Sequence, residues 1–141
     1  MVHAFPSSDP ALATRFLHCR FTDDASLTPN GRLYVGGGPI VNLAESRNVL
    51  FDTCNFALTG EGVLPWSWEA TYRDCTMRQA SKVTAITKGK YVGRSVIDAP
   101  ANLYGSMIMS TVVVNGDVLP PGPVGDFAPS APLLFHCSRS I

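Results

Sequence analysis

Apolar and polar positions along this chain fall into a short pattern that recurs three times. In Asn48-Val-Leu-Phe-Asp-Thr-Cys-Asn-Phe56 a large apolar residue is followed by two others, a Cys, one more residue and a second large apolar residue. The same template fits Glu69-Ala-Thr-Tyr-Arg-Asp-Cys-Thr-Met77 and, upstream, Thr14-Arg-Phe-Leu-His-Cys-Arg-Phe21. Phe16, Phe51 and Tyr72 fill the first position, Cys19, Cys54 and Cys75 the second, and Phe21, Phe56 and Met77 the third. The second and third copies lie 21 residues apart, about one turn of a coiled β-solenoid. Strand alternation alone cannot place Phe51 and Cys54 on one face, because they are three positions apart. A bend at Asp52-Thr53 can. The pattern therefore predicts short strands joined by bends. Val49, Phe51, Cys54 and Phe56 point inward in one copy, and Ala70, Tyr72, Cys75 and Met77 in the next.

Outside the three copies the signals are turns and short strands. Thr28-Pro-Asn-Gly31 reads as a turn, Arg32-Leu-Tyr-Val35 as a strand and Gly36-Gly-Gly-Pro39 as a break. That glycine run lacks the helix and the Lys-Ser/Thr of a phosphate-binding loop, so a tight corner is the better account. Pro39-Ile-Val-Asn-Leu43 is a short strand leading into the second copy. After Ala80, Lys82–Thr87 and Lys90–Ile97 are strand-like with Lys88-Gly89 as a corner. Leu103–Met109 and Thr111–Val114 follow, and Asn115-Gly-Asp117 turns the chain. Five prolines in residues 118–132 rule out a paired central strand and predict an extended arm lying on a surface. Leu134-Phe-His-Cys137 echoes Phe16-Leu-His-Cys19 and is expected to add a terminal strand. The expected organisation is an N-terminal arm over 1–13, a β-helix domain over 14–117 and a proline-rich C-terminal arm over 118–141.

Composition narrows the function classes. The chain has 141 residues and 45% hydrophobic content, enough for one domain with a real core. Eleven basic residues balance eleven acidic ones, which argues against nucleic acid or an anionic membrane as the main partner. The N-terminus lacks the basic start and apolar run of a secretory signal, and no stretch approaches the roughly 18 apolar residues of a membrane span. Three of the four Cys recur at one repeat position, so a stacked ladder of reduced, buried thiols is favoured over disulfides. No CxxC or His-x-His spacing points to a metal, and no cofactor is expected.

The pattern Asn-Val-x-Phe-x-x-Cys-x-Phe at residues 48–56 resembles the rungs of right-handed parallel β-helices of the pectin-lyase-like superfamily. That superfamily includes pectate lyases and the spike and fibre proteins of bacteriophages. The likeness is clear at 14–24 and 48–80 and extends over 81–114. It implies an all-β fold: a short, single-stranded right-handed parallel β-helix of about four or five rungs with extended arms at both termini. The family often carries Asn just before the Cys, stacked as an amide ladder. Here His18, Thr53 and Asp74 stand there instead, so the ladder is absent while the bend can persist.

Candidate chemistry is sparse. Asp52 and Asp74 invite comparison with a calcium-binding carboxylate cluster, but counted from the Cys, Asp52 falls level with Arg73. A cross-rung Asp52–Arg73 pair is the simpler expectation. Asp23-Asp24 reads as a polar turn. His3, His18 and His136 have no recognisable triad partners, and the latter two are expected at bends. Trp66 and Trp68, spaced by two, would share one face of an extended segment. Sugar stacking, a subunit contact and a loop folded over the coil's own flank remain open for them. Together with Phe127 they form the expected interaction surface.

A short coil with exposed ends and arms at both termini favours completion by neighbours. The expected function is a non-enzymatic structural and assembly protein of a bacteriophage virion, a capsid decoration or tail-associated β-helix. Its expected partners are itself, as a homotrimer, and capsid or tail proteins, with synthesis in the host cytoplasm. The trimer is implied by the resemblance to phage β-helices. The alternative is a polysaccharide-binding or polysaccharide-cleaving β-helix.

Overall fold

The computed structural model describes residues 2–3, 14–24, 38–43 and 46–125. The turn expected at 28–31, the strand at 32–35, the glycine corner at 36–37, Phe127, His136 and the strand at 134–137 lie outside the described residues, as does most of both arms.

In chain order the first strands are β1 (Val2–His3), β2 (Thr14–Leu17), β3 (Arg20–Thr22), β4 (Val41–Asn42), β5 (Val49–Asp52) and β6 (Asn55–Leu58). Next come β7 (Ser67–Arg73), β8 (Thr76–Gln79), β9 (Ala85–Val92), β10 (Arg94–Asp98) and β11 (Ala101–Asn102). The last are β12 (Met107–Ile108), β13 (Thr111–Val114), β14 (Asp117–Leu119) and β15 (Gly122–Pro123).

These strands stack as a parallel β-helix. The first long face runs β2-β5-β7-β9-β12 and the second β3-β6-β8-β10-β13, every neighbouring pair parallel. A third, looser face links Val2 to Val41, Asn42 to Trp66, and Ala85 to Ala101. The pairing is in register with the sequence pattern. Phe16, Phe51, Tyr72, Tyr91 and Ile108 stand level on the first face. Phe21, Phe56, Met77, Ile97 and Val114 stand level on the second.

The bend between the two faces is a left-handed residue. His18, Thr53 and Asp74 have φ of 55°, 53° and 50°, and Gly93 occupies the same corner at 72°. The first three corners are each tied to the next rung by their own amide. His18 N–H donates to the Asp52 carbonyl at 2.9 Å, Thr53 to Arg73 at 2.8 Å and Asp74 to Val92 at 3.3 Å. This turn of the backbone lets residues three apart, Phe51 and Cys54, both point inward. Side chains other than Gly, Asn and Asp resist this region, so Thr53 holds its corner at some cost. At the fourth rung the strand expected over residues 90–97 is split by this corner, because Gly93 takes the left-handed conformation freely. A Cβ on Gly93 would also run into the Asp74 carboxylate, whose Oδ1 accepts the Arg94 N–H at 2.7 Å.

The columns then pack by stacking. Phe16 on Phe51, Phe51 on Tyr72 and Tyr72 on Tyr91 are parallel, with centroids 5.0, 5.2 and 5.0 Å apart. Phe21 stacks on Phe56 at 4.6 Å, and the two columns meet edge to face, as in Phe51–Phe56 at 5.3 Å. Each such pair adds about 0.5–1.5 kcal/mol beyond area burial. Cys54 and Cys75 are buried, and Cys19, Cys54 and Cys75 are free thiols. The Cys54 thiol points to the Phe16 carbonyl at 3.2 Å and the Cys75 thiol to the Phe51 carbonyl at 3.3 Å, each reaching back one rung. Ser95 continues the column, its Oγ accepting the Cys75 N–H at 3.1 Å.

One end of the coil is closed, where the sequence led us to expect both ends uncovered. Asn115 and Gly116 are both left-handed, φ 50° and 86°, the hairpin turn that reverses the chain. β14 and β15 then pair antiparallel to β13 and β12, and Leu119 and Val124 pack on the core. The proline-rich segment through Val124 is thus an edge cap, a place where proline is tolerated.

Gly93→Ala should lower the unfolding free energy by about 2 kcal/mol, and Thr53→Asn should raise it by up to about 1 kcal/mol. Urea denaturation of the two variants reads both signs. A neutral Gly93→Ala would mean that the corner is not left-handed.

Candidate functional site

Because inward positions are spent on the core, interaction chemistry must come from the outward columns. On the first long face, Arg15, Leu50, Thr71, Lys90 and Met107 stand level in one outward column. Leu17, Asp52, Arg73 and Val92 stand level in the next. The expected Asp52–Arg73 pair is present, with Arg73 Nη1 3.6 Å from Asp52 Oδ2. Arg47 and Glu69 pair at 3.5 Å nearer the upstream end of the face.

Trp68 lies at the upstream edge of this face, 45% exposed. Lys88 Nζ sits 4.9 Å from the centre of its ring and 5.7 Å from that of Tyr104, which is also exposed. An ammonium held over aromatic faces is attracted by their quadrupoles, by about 0.5–1 kcal/mol at an exposed site. Next to this cluster is a cleft of about 300 Å³ lined by Arg47, Trp68, Glu69, Thr71, Gly89, Lys90, Gly105 and Met107.

Trp66 is not part of that cleft. It is 39% exposed and opens onto a separate apolar depression of about 130 Å³ with Pro39, Val63, Leu64, Val83, Thr84 and Ile86. Both tryptophans point outward with Ser67 buried between them, as spacing of two requires. The chain, however, rounds the corner between the third and first faces there, with an irregularity in register between Ser67 and Ala70. Gly89 fits this corner because a Cβ would strike the Ala70 carbonyl.

That corner is polar inside. The Tyr72 hydroxyl meets Ser67 Oγ at 2.8 Å and accepts from Thr87 Oγ1 at 3.1 Å, while Tyr91 donates to the Thr87 carbonyl. Burial drives both phenols well above their ordinary value, and it pushes the Cys75 thiol up to about 12 and raises Cys54. These groups are satisfied core members rather than acids or nucleophiles poised for chemistry.

Asp23, expected in a polar turn, has a buried structural role. It is buried, and its carboxylate accepts the N–H groups of Thr59 at 2.8 Å and of Gly60 and Gly62 at 2.9 Å. It clamps the 59–62 loop. His18 is an exposed corner residue. Among the described residues no three His, Cys, Asp or Glu side chains gather as a metal site, and no helix is long and apolar enough to cross a membrane.

Comparison of the chain with protein-family models, with curated proteins and with solved structures found no match. The class that the fold defines is the parallel β-helix. The cation–aromatic cluster beside the cleft is its most distinctive outward feature.

Tyr72, Tyr91 and Cys75 keep their protons in the folded chain at pH values where the unfolded chain sheds them, so rising pH favours unfolding. Stability should be complete below about pH 9, the ordinary thiol value, and fall as the pH climbs toward 12. Melting temperatures across that range should show the fall, with the tyrosinate absorbance that belongs to Tyr72 and Tyr91, read as the part lost in Tyr72→Phe and Tyr91→Phe variants, appearing only as the chain unfolds. Tyrosinate titrating fully near pH ~10 in a still-folded chain would contradict the buried network.

Proposed function

We propose that this chain is a non-enzymatic structural and assembly module of a bacteriophage virion, a capsid decoration or tail-associated β-helix that works as a homo-oligomer. The observation that carries this reading is the asymmetry of the coil. Its C-terminal end is stopped by antiparallel strands with Leu119 and Val124 packed on the core. At the other end, among the described residues, β2 and β3 are not covered: they present half-buried Phe16 and Phe21, and Leu17 is 54% exposed. Parallel strands at the limit of a stack are templates for further pairing, and a cap on one side restricts that pairing to the other. A polarised module of this kind suits attachment rather than turnover.

The phage assignment draws on the resemblance of residues 48–56 to phage β-helical rungs, and the trimer on the same resemblance. Neutral net charge leaves little repulsion to oppose self-association. Light scattering of the purified chain, with and without reductant, tests the reading. A trimer whose mass does not respond to reductant is the expected result, since the described thiols are free. A monomer at all concentrations would count against the assembly role.

A further inference from the structure

We propose that the outer flank of the first long face docks an acidic, partly apolar segment of another protein. The inference rests on the assembly reading above and names the chemistry of the partner. The chain as a whole is neutral, but this flank is not. Among the described residues it carries Arg15, Arg47, Arg73, Lys88 and Lys90 against Asp52 and Glu69. The two carboxylates pair with Arg73 and Arg47, so Arg15, Lys88 and Lys90 carry its net positive charge. A partner matched to this field is negative.

The apolar component follows from the same columns. Met107, 40% exposed, lines the cleft with Lys90 and Gly105, and Met109, 52% exposed, follows it two residues on. Exposed methionines adapt to varied apolar side chains, and Trp, Tyr and Arg are the residues that most often anchor protein contacts. Lys88 is already held between the rings of Trp68 and Tyr104. Holding it there lowers the ordering cost when a carboxylate arrives. The same contact covers one face of Trp68 with an ammonium, and the exposed methionines offer apolar contact but no strong hydrogen-bonding partner for ring hydroxyls. The flank therefore fits a protein segment with carboxylates beside aliphatic or aromatic side chains better than it fits a sugar.

The probe is an unbiased library of dodecapeptides, selected against the purified full chain and against its Lys88→Glu/Lys90→Glu variant, with polygalacturonate as a parallel ligand. Melting curves establish that the variant is folded. Selected peptides should be net acidic with interspersed Leu, Phe or Met, and should lose about tenfold or more in affinity on the double variant. Raising salt from about 0.05 to 0.5 M should weaken them similarly. Trp68→Ala should weaken the same peptides without altering the melting temperature by more than a few degrees. Peptides without acidic bias, peptides that bind the double variant equally, or binding of polygalacturonate alone would each overturn the proposal. The solution mass separates the two levels. A trimer that selects no acidic peptide refutes the flank while leaving the assembly reading intact, and a monomer that selects them does the reverse.

Discussion

The structure depends on one backbone constraint, the left-handed residue that joins the first face of each rung to the second. At His18, Thr53, Asp74 and Gly93 the chain turns with positive φ, and at the first three the corner amide is donated to the rung above. Two consequences follow from that geometry. Apolar residues three apart both face inward, which builds two interior columns instead of one. The corners also stack, so that bond fixes the register of everything beyond it. A slip of one residue in a strand would turn its inward set outward, and here the corner prevents the slip. Thr53 shows how strongly the fold imposes this conformation, since a β-branched residue is among the least suited to it.

With register fixed, each interior column becomes a line of like residues, and their chemistry can be read rung by rung. The aromatic column passes from phenylalanine to tyrosine where the Ser67 and Thr87 hydroxyls are available as partners. That substitution is sensible only because a buried phenol without a partner would be costly. The thiol column passes to Ser95 in the next rung, where the Oγ takes the Cys75 amide. The outside obeys the same register. Cations from the first, third and fourth rungs and from the loop before the second are brought to one flank, which among the described residues gives that flank a positive balance. The core and the candidate site are therefore two faces of a single alignment.

This explains what could be read from the sequence. The three Phe/Tyr-x-x-Cys-x-Phe/Met copies showed the inward set and the bend, because each keeps both a large apolar residue and a Cys in place. The fourth and fifth rungs were harder to see. Ser95 and Val112 stand in the Cys column and Gly93 replaces a polar corner residue, so the signature dissolves although the geometry continues. The cap was hidden for a different reason. Its prolines exclude a central strand but not an edge strand, and composition alone does not distinguish a free arm from an edge. The site was half visible. Trp68 stood out, whereas Lys88 and Tyr104 became its neighbours only through stacking. Lys88 lies 20 residues beyond Trp68, near the rung period, and applying that period to exposed residues would have placed it there. Asp23 carried no such signal, because its partners are backbone amides of a loop more than 30 residues away.

Residue-resolved hydrogen exchange of the native chain addresses the corner most directly. Thr53 and Asp74 have exposed side chains, so an ordinary surface turn would leave their amides open to solvent. Stacked corners instead bind those amides to Arg73 and Val92 of the next rung. The account predicts that both amides exchange within about tenfold of the rates of Phe51 and Phe56 in the neighbouring strands. Exchange of Thr53 and Asp74 at the rate of an unstructured peptide, with Phe51 and Phe56 still protected, would contradict it.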